Sequence, residues 1–288
     1  MGLFKKRTGI YTKWKERLVG HSISMGLSPI HQSVVVSNSH HINQKSNKMK
    51  TQISAILLGG LLALFSSCDH DTIHAHGEVT SVYHDIEGYT RLRVSDAFQV
   101  YVHFSEVDQG IRIAANDNLH DKIVVEKDGD ELVIRLKSHT SIQGKAVMNA
   151  YITTTDLSAF RLGGASRLTL DDQWEVQDGK IGVSGASDFS GEVIADRLEV
   201  DLDGASSIDV SGSVSFLDAE LSGSSDLLDF GLDISNLDID LSGASTAFLS
   251  VEETIRVKAS GASTLNYKGN AAILKSELSG SSHITKKD

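Results

Sequence analysis

The stretch Leu162-Gly163-Gly164-Ala165-Ser166 decides the fold, because the chain repeats its Gly-(Ala/Ser)-Ser core seven times. Successive copies lie 21, 19, 19, 20, 18 and 19 residues apart. The anchor glycines of the seven copies are Gly164, Gly185, Gly204, Gly223, Gly243, Gly261 and Gly280. So steady a period is typical of solenoids, in which each unit buries its apolar face on the next. The repeats therefore predict about seven stacked coils of ~19 residues.

Apolar residues lie at even offsets from each anchor glycine. Two residues before it stand Leu162, Val183, Leu202, Leu221, Leu241, Ala259 and Leu278. Four residues after it stand Leu168, Phe189, Ile208, Leu227, Ala247, Leu265 and Ile284. Six residues before it, five copies add Leu198, Leu217, Leu237, Ile255 and Leu274. Side chains alternate along a strand, so these three rows are predicted to face inward.

The small residues of the repeat are interpreted as corners of the coil. Glycine suits a bend with positive φ or a close backbone approach, and the serine two residues later can hydrogen-bond a neighbour or the turn. A catalytic interpretation would need Gly-x-Ser-x-Gly with a positioned histidine and acid. No copy has the second glycine, and His283 is the only histidine in the repeats. The serines are therefore predicted to be structural, and the protein not to be an enzyme.

The segment before the repeats alternates apolar and polar residues with the period of half-buried strands. This pattern holds in Arg91–Val94 and Phe98–Phe104, and Lys127–Asp130 offers a turn before the partner strand Glu131–Leu136. The chain has one proline, Pro29, which leaves the rest free for continuous ladders. We predict an all-β protein: a single-stranded right-handed parallel β-helix preceded by a β-rich N-terminal part.

Charge is distributed unevenly along the chain. From Cys68 onward 18 Lys and Arg face 37 Asp and Glu, which argues against nucleic acid as a partner. Acidic residues at odd offsets are expected to stack outside the coils: Asp201, Asp203, Asp218, Glu220, Asp238 and Asp240. Stacked carboxylates can bind Ca²⁺ weakly, and they keep open the alternative of a β-helical enzyme acting on acidic or cell-surface glycans. The calcium-binding nonapeptide of β-helices is absent, and neither a metal site nor a cofactor is predicted.

Cys68 is the only cysteine, so no intrachain disulfide can form. It follows Met49-Lys50, the 13-residue apolar run Ile53–Phe65 and two serines, which together have the form of a secretory signal too short to span a bilayer. Small residues ending at a cysteine resemble the bacterial lipobox, which implies lipidation of Cys68; an incidental cysteine after an ordinary signal peptide is the alternative.

The domain organisation follows from this signal. Residues 1–48 are interpreted as an overlong start or n-region, 49–67 as the signal peptide, 68–77 as a polar tether and 78–288 as the β-helical domain. The tether contains His70, His74 and His76, but a flexible segment lacks the support that a metal site needs.

The chain from Glu78 to Ile284 resembles the GIN domain, the head domain of auto-transporter adhesins found in Bacteroidetes lipoproteins. The resemblance rests on Phe98–Val102, the Asn118-Leu119 stretch, Asp130–Ile134, Leu157–Phe160 and the repeated Leu-x-Gly-Ala-Ser. It implies a β-helical, secreted or surface-exposed domain without an established enzyme activity or catalytic residues.

These observations lead to one functional hypothesis. The protein is expected to be exported and anchored by a lipid in the cell envelope, most simply at the outer membrane, facing the periplasm or the surface. Its β-helix would be a non-catalytic, adhesin-like binding or structural module whose ligand is a glycan or a protein surface. Because a stacked β rod exposes ladder edges at its ends, either capping of these ends or self-association into a homo-oligomer is also expected.

Overall fold

A computed structural model describes residues 71–228 and 230–288, which form a nearly all-β domain. Its strands are β1 (Asp71–His74), β2 (Val79–His84), β3 (Arg91–Val94), β4 (Gln99–Phe104), β5 (Gly110–Asn116), β6 (Ile123–Asp128), β7 (Glu131–Leu136), β8 (Thr140–Gln143), β9 (Met148–Thr154), β10 (Ala159–Leu162), β11 (Arg167–Leu170), β12 (Trp174–Val183), β13 (Asp188–Leu202), β14 (Ser207–Leu221), β15 (Asp226–Leu228), β16 (Leu232–Leu241), β17 (Thr246–Ala259), β18 (Thr264–Lys268), β19 (Ala272–Leu278) and β20 (His283–Lys286). One 3₁₀ helix spans Asp117–Lys122. The predicted all-β solenoid of about seven coils is confirmed.

The coils stack through parallel ladders on three faces. The first face consists of the segments just before the corner glycines, in the order β7, β3, β10, β12, β13, β14, β16, β17 and β19. The second face consists of the segments just after the corners, from β9 and β4 through β11 to β18 and β20. The third face joins the first residues of β12 and β16 to the middle parts of β13, β14 and β17. Because these ladders are in register, equivalent residues of successive repeats lie beside each other.

Several coils are built largely from one long strand. β13 and β14 each run for 15 residues around a corner without losing their ladder. Gly212 allows this bend: its φ is 116°, and a Cβ there would overlap the backbone carbonyl of Val193 in the preceding coil. Backbone pairing between coils continues around such a bend, so the strand is not interrupted.

The N-terminal part continues the same stack instead of forming a separate layer. β3 and β4 lie in register beside β10 and β11, and β7 and β9 add a further layer beyond them. β6 pairs with β7 as the predicted antiparallel hairpin, and β5 and β2 extend from β9 in antiparallel order. These antiparallel strands and the 3₁₀ helix close this end, where Leu119 is fully buried.

The inward rows predicted from the even offsets form one continuous apolar core. All residues two before and four after the anchor glycines are buried in the first six copies. The first two copies lack an apolar residue six before the glycine: in the first copy this residue is the exposed Ser158, and in the second an aromatic ring fills the space. Trp174 lies over Gly179, where a Cβ would come within 2.8 Å of its ring, and packs edge-to-face on Phe160 at 4.8 Å.

The last coil departs from the predicted pattern. Leu274 is predicted to face inward, but it is the extra residue of a bulge, so that Ile273 takes the place opposite Ile255. Leu274 is 56% exposed and Leu278 is 47% exposed, because no described coil covers them on the outer side.

The predicted tether is also partly wrong, because its described residues are held in the domain. Asp71–His74 form β1, which pairs in parallel with β8 in a separate two-stranded sheet. The side chain of Asn118 accepts a hydrogen bond from the backbone N–H of His76 (3.0 Å) and donates one to the carbonyl of His74 (2.9 Å). Ile73 packs against the core, so burial and backbone pairing together fix this segment.

Candidate functional site

The seven anchor glycines lie at one corner of the coil and form a continuous ridge. Their φ values lie between 70° and 80°, the left-handed region that favours glycine. From Gly185 to Gly280, an added Cβ would contact the carbonyl oxygen of the preceding anchor glycine. The residue after each of these glycines donates its backbone N–H to that same carbonyl, for example Ala186 to Gly164 at 2.9 Å. This corner is therefore both strained for other residues and too close to its neighbour for a side chain.

The repeated serines turn into the corner and are not available for chemistry. The first six are no more than 1% exposed: Ser166, Ser187, Ser206, Ser225, Ser245 and Ser263. Most of the hydroxyls donate to the carbonyl three residues earlier, as Ser245 does to Ser242 and Ser263 to Ser260, both at 2.8 Å. Ser282 makes the same bond to Ser279 at 2.8 Å in the last coil. These hydroxyls close the turn in place of a further backbone donor.

The ridge has an eighth corner that the glycine pattern misses. Asp96, with φ 69°, occupies the position of Gly164 in the preceding coil, because β3 and β4 flank it in register with β10 and β11. Its carboxylate accepts hydrogen bonds from the backbone N–H of Leu136 (2.9 Å) and the hydroxyl of Ser95 (3.1 Å). Aspartate tolerates this backbone better than most residues. The signal in the sequence is Val94 and Val100, which keep the offsets of two before and four after.

An acidic patch covers the centre of the first face. Its six carboxylates lie in two rows across β13, β14 and β16: Glu199, Asp218 and Asp238 in one row, and Asp201, Glu220 and Asp240 in the other. Burial and the neighbouring Asp238 and Glu199 raise the pKa of Asp218 above its ordinary value. Of the predicted outer acids, only Asp203 lies outside the patch, at the corner, where it accepts a hydrogen bond from Ser222 at 2.7 Å.

Cations flank the acidic patch on both sides along the stack. Lys180 contacts Glu199 and lies 2.9 Å from Asp201, while Lys258 lies 2.9 Å from Asp240. Within the described residues, no group of three or more His, Cys, Asp or Glu side chains has the geometry to hold a metal ion. The carboxylates therefore shape a local negative potential, partly neutralised at its borders.

A groove of about 700 Å³ follows the side of the stack, at the junction of the third and first faces. This side groove crosses β12, β13, β14, β16 and β17, and its polar lining includes Glu175, Asp196, Ser213, Ser215, Asp233, Ser235 and Glu252. Ile194, 39% exposed, adds an apolar contact beside Ser213. Hydroxyls and carboxylates in register along several coils offer repeated hydrogen-bonding groups to an extended ligand.

The predicted lipidation site lies outside the described residues. Cys68, the signal segment 49–67 and residues 1–48 keep the interpretation drawn from the sequence. No helix in the part of the chain that the structure describes is long and apolar enough to cross a bilayer.

Comparison with solved structures shows the same fold in several bacterial proteins. A "putative adhesin" from Bacteroides fragilis NCTC 9343 is similar with a TM-score of 0.67 and 15% identity, over 75% of this chain and 99% of that one. A "Putative lipid binding protein" from Parabacteroides distasonis ATCC 8503 is similar with a TM-score of 0.62 and 17% identity, over 76% of this chain and all of that one. A search of curated protein sequences returned no match.

The family is established by a sequence model. The model described as "Putative auto-transporter adhesin, head GIN domain" matches residues 88–271, which is more than half of the chain. The match begins before β3 and ends after β18, so it contains seven of the eight corners and the whole side groove. The chain therefore belongs to the auto-transporter adhesin head GIN domain family.

Proposed function

We propose that this protein is a lipid-anchored, adhesin-like binding module of the cell envelope, with the side groove as its ligand site. The observation that carries this proposal is the groove itself, an indentation of about 700 Å³ with a repeating polar lining on a rigid stack. Its volume lies within the range of ligand-binding pockets, ~300–1,000 Å³. Family membership supports a non-catalytic role, since the family and the similar structures carry adhesin descriptions.

The chemistry of the side groove favours a ligand rich in hydroxyl groups. Its carboxylates accept hydrogen bonds and its serines both donate and accept them, which suits the hydroxyls of a neutral glycan. Four acids and no Lys or Arg line the groove among the described residues, so an acidic glycan would be repelled. The lipid-binding description of one similar structure raises an acyl ligand, but Ile194 is the main exposed apolar side chain in this lining.

The test is retention on a glycan array by the wild type and two matched variants. Ser213→Trp places a bulky ring in the middle of the groove, between Ile194 and Asp233 of the adjacent strands. Ser211→Trp, also exposed and on β14 but outside the groove, is the control. We expect Ser213→Trp to reduce retention by about tenfold or more, because the ring blocks the middle of the groove. A tenfold loss of affinity corresponds to ~1.4 kcal/mol of binding free energy. The control should bind normally.

Product analysis on the bound glycans separates binding from catalysis. Glycans recovered intact support the adhesin-like module. Cleavage that is lost on replacing a groove acid, such as Asp196→Asn, would instead establish the carbohydrate-active enzyme. Equal retention by both tryptophan variants would show that the ligand binds elsewhere.

A further inference from the structure

The two ends of the solenoid differ in how their core is covered. In the first layer, four inward side chains of β7 and β9 are at most 1% exposed: Leu132, Ile134, Ala150 and Ile152. In the last layer, Ile273, Leu274 and Leu278 of β19 are 42%, 56% and 47% exposed. Within residues 71–228 and 230–288, the apolar core is thus closed at one end and open at the other.

The backbone edges show the same asymmetry. At the N-terminal end the first and second faces both finish in antiparallel pairs, β6 on β7 and β5 on β9. At the C-terminal end, within the described residues, β19 pairs only with β17 and β20 only with β18. An open strand edge beside exposed apolar side chains is a template for another strand. The bulge at Leu274 and the charge of Lys275 limit indiscriminate pairing, so a partner must match them.

We propose that a second copy of this chain covers this end, in a two-fold symmetric dimer in which β19 pairs antiparallel with β19 of the second copy. The strand is complementary to itself when the pairing is centred on Ser276. Lys275 then lies opposite Glu277 of the second copy, and Leu274 opposite Leu278, each pair occurring twice. Lys275 and Glu277 both face outward, in register with Arg256 and Lys258, so the charged pairs lie on the same side of the extended sheet.

This arrangement closes at two copies. Stacking the open end onto the opposite end of another molecule would generate a filament, but that end already carries β5, β2 and β6. At the N-terminal end, the parallel faces end in antiparallel strands of the same chain. In the proposed dimer, the first face would end at the C-terminal end in an antiparallel strand of the second copy. The interface is independent of the side groove and of the ligand assigned to it.

The charge pattern gives a direct test on the full chain, solubilised in a mild detergent and measured by sedimentation corrected for bound detergent. The wild type is expected to dimerise. Lys275→Glu and Glu277→Lys each place like charges opposite one another twice, and each should weaken dimerisation by about tenfold or more. The double variant restores both pairs and should dimerise like the wild type. Lys145→Glu, an exposed residue of the N-terminal part, is the matched control.

Cross-linking checks the register separately, so the proposal does not depend on the charged variants folding. In a Cys68→Ser background, Ser276→Cys should form a disulfide-linked dimer on oxidation, because residue 276 faces itself across the two-fold axis. Ser213→Cys, exposed on β14, should not cross-link. A wild type that stays monomeric, single charge variants that dimerise as strongly as the wild type, or no cross-link at residue 276 would each overturn the proposal.

Discussion

At each of the seven glycine corners, one residue adopts left-handed backbone, and from Gly164 to Gly261 the next coil packs against its carbonyl. Glycine meets both demands, and the buried serine two residues later closes the turn with its hydroxyl. At the first corner, Asp96 takes the place of the glycine and adopts left-handed backbone. Its carboxylate accepts two hydrogen bonds, which hold it in this conformation. The ridge is therefore set by backbone geometry more than by chemistry.

Gly223→Val tests this geometry at one residue. Valine at φ 75° is strained, and its Cβ would overlap the carbonyl oxygen of Gly204. We expect a loss of about 2–4 kcal/mol in the free energy of unfolding, combining backbone strain with the steric overlap. That loss should lower the thermal midpoint by roughly 5–15 °C, measured by circular dichroism. Ser224→Val, at the exposed neighbouring position, is the control, and equal midpoints for the two variants would contradict a constrained corner.

The corners could be predicted at residue scale because Gly-(Ala/Ser)-Ser is written in the sequence each time. Asp96 could not be found in that way, since Asp96-Ala97-Phe98 shares only the alanine with the repeat. The apolar offsets of Val94 and Val100 were the remaining signal. The side groove left no motif at all, because its lining residues are distant in sequence and share only a register position.

At the scale of strands, the parallel register turns single acids into continuous rows. Each carboxylate of the acidic patch lies beside an acid of an adjacent strand, and basic residues flank only the outer strands of the patch, β13 and β16. Like charges on adjacent strands destabilise a sheet. The acidic patch therefore lowers the stability of a stack that is held together by its apolar core. This destabilisation should depend on pH and on salt concentration.

Asp218→Asn should stabilise the protein at neutral pH. The raised pKa means that the folded state favours the protonated form of Asp218, so its stabilising contribution is present below the unfolded value of 3.8 and is lost as pH rises through the folded value. Asparagine removes the unfavourable charge. The denaturation midpoint should therefore exceed that of the wild type at pH 7, and the gain should disappear below pH 3.8. Asp108→Asn, an exposed acid outside the patch, is the control. A gain that persisted unchanged at low pH would contradict this origin.

Strand positions could be predicted where the apolar residues recur regularly. They could not be predicted where a bulge or pairing with a distant strand sets the position of a residue. The even offsets locate the inward rows of the first six copies, but one extra residue in β19 shifts Leu274 out of its row. β1 was missed because its four residues look like a polar tether, and its strand conformation depends on pairing with β8 about 70 residues away.

At the scale of the whole molecule, the part of the stack that the structure describes has two different ends, one with a covered core and one with an exposed core. The sequence indicates this poorly, since the last repeat has the same motif as the others and only its missing neighbour distinguishes it. Fold class and approximate coil number follow from periodicity, which repeats carry strongly. A dimer through the open end would present two side grooves, and two linked sites retain a surface ligand more strongly than one.

The anchor is tested by metabolic labelling with a palmitate analogue. Cys68→Ala removes the thiol that would carry the lipid, so labelling should be lost and the protein should leave the membrane fraction. Ser67→Ala keeps a small residue before the cysteine and should label normally. Undiminished labelling and membrane fractionation of Cys68→Ala would rule out the anchor.

The pairing of β1 with β8 sets how far such an anchored protein could stand from its membrane. Only three peptide units separate Cys68 from Asp71, and an extended chain spans at most ~3.3–3.6 Å per residue. With Cys68 acylated, the segment between the lipid and the domain would therefore be at most about 10 Å long. A domain linked to the membrane by so short a segment could not move far from the bilayer. It would work flush with the lipid headgroups, and its ligand would have to reach the bilayer surface to be captured.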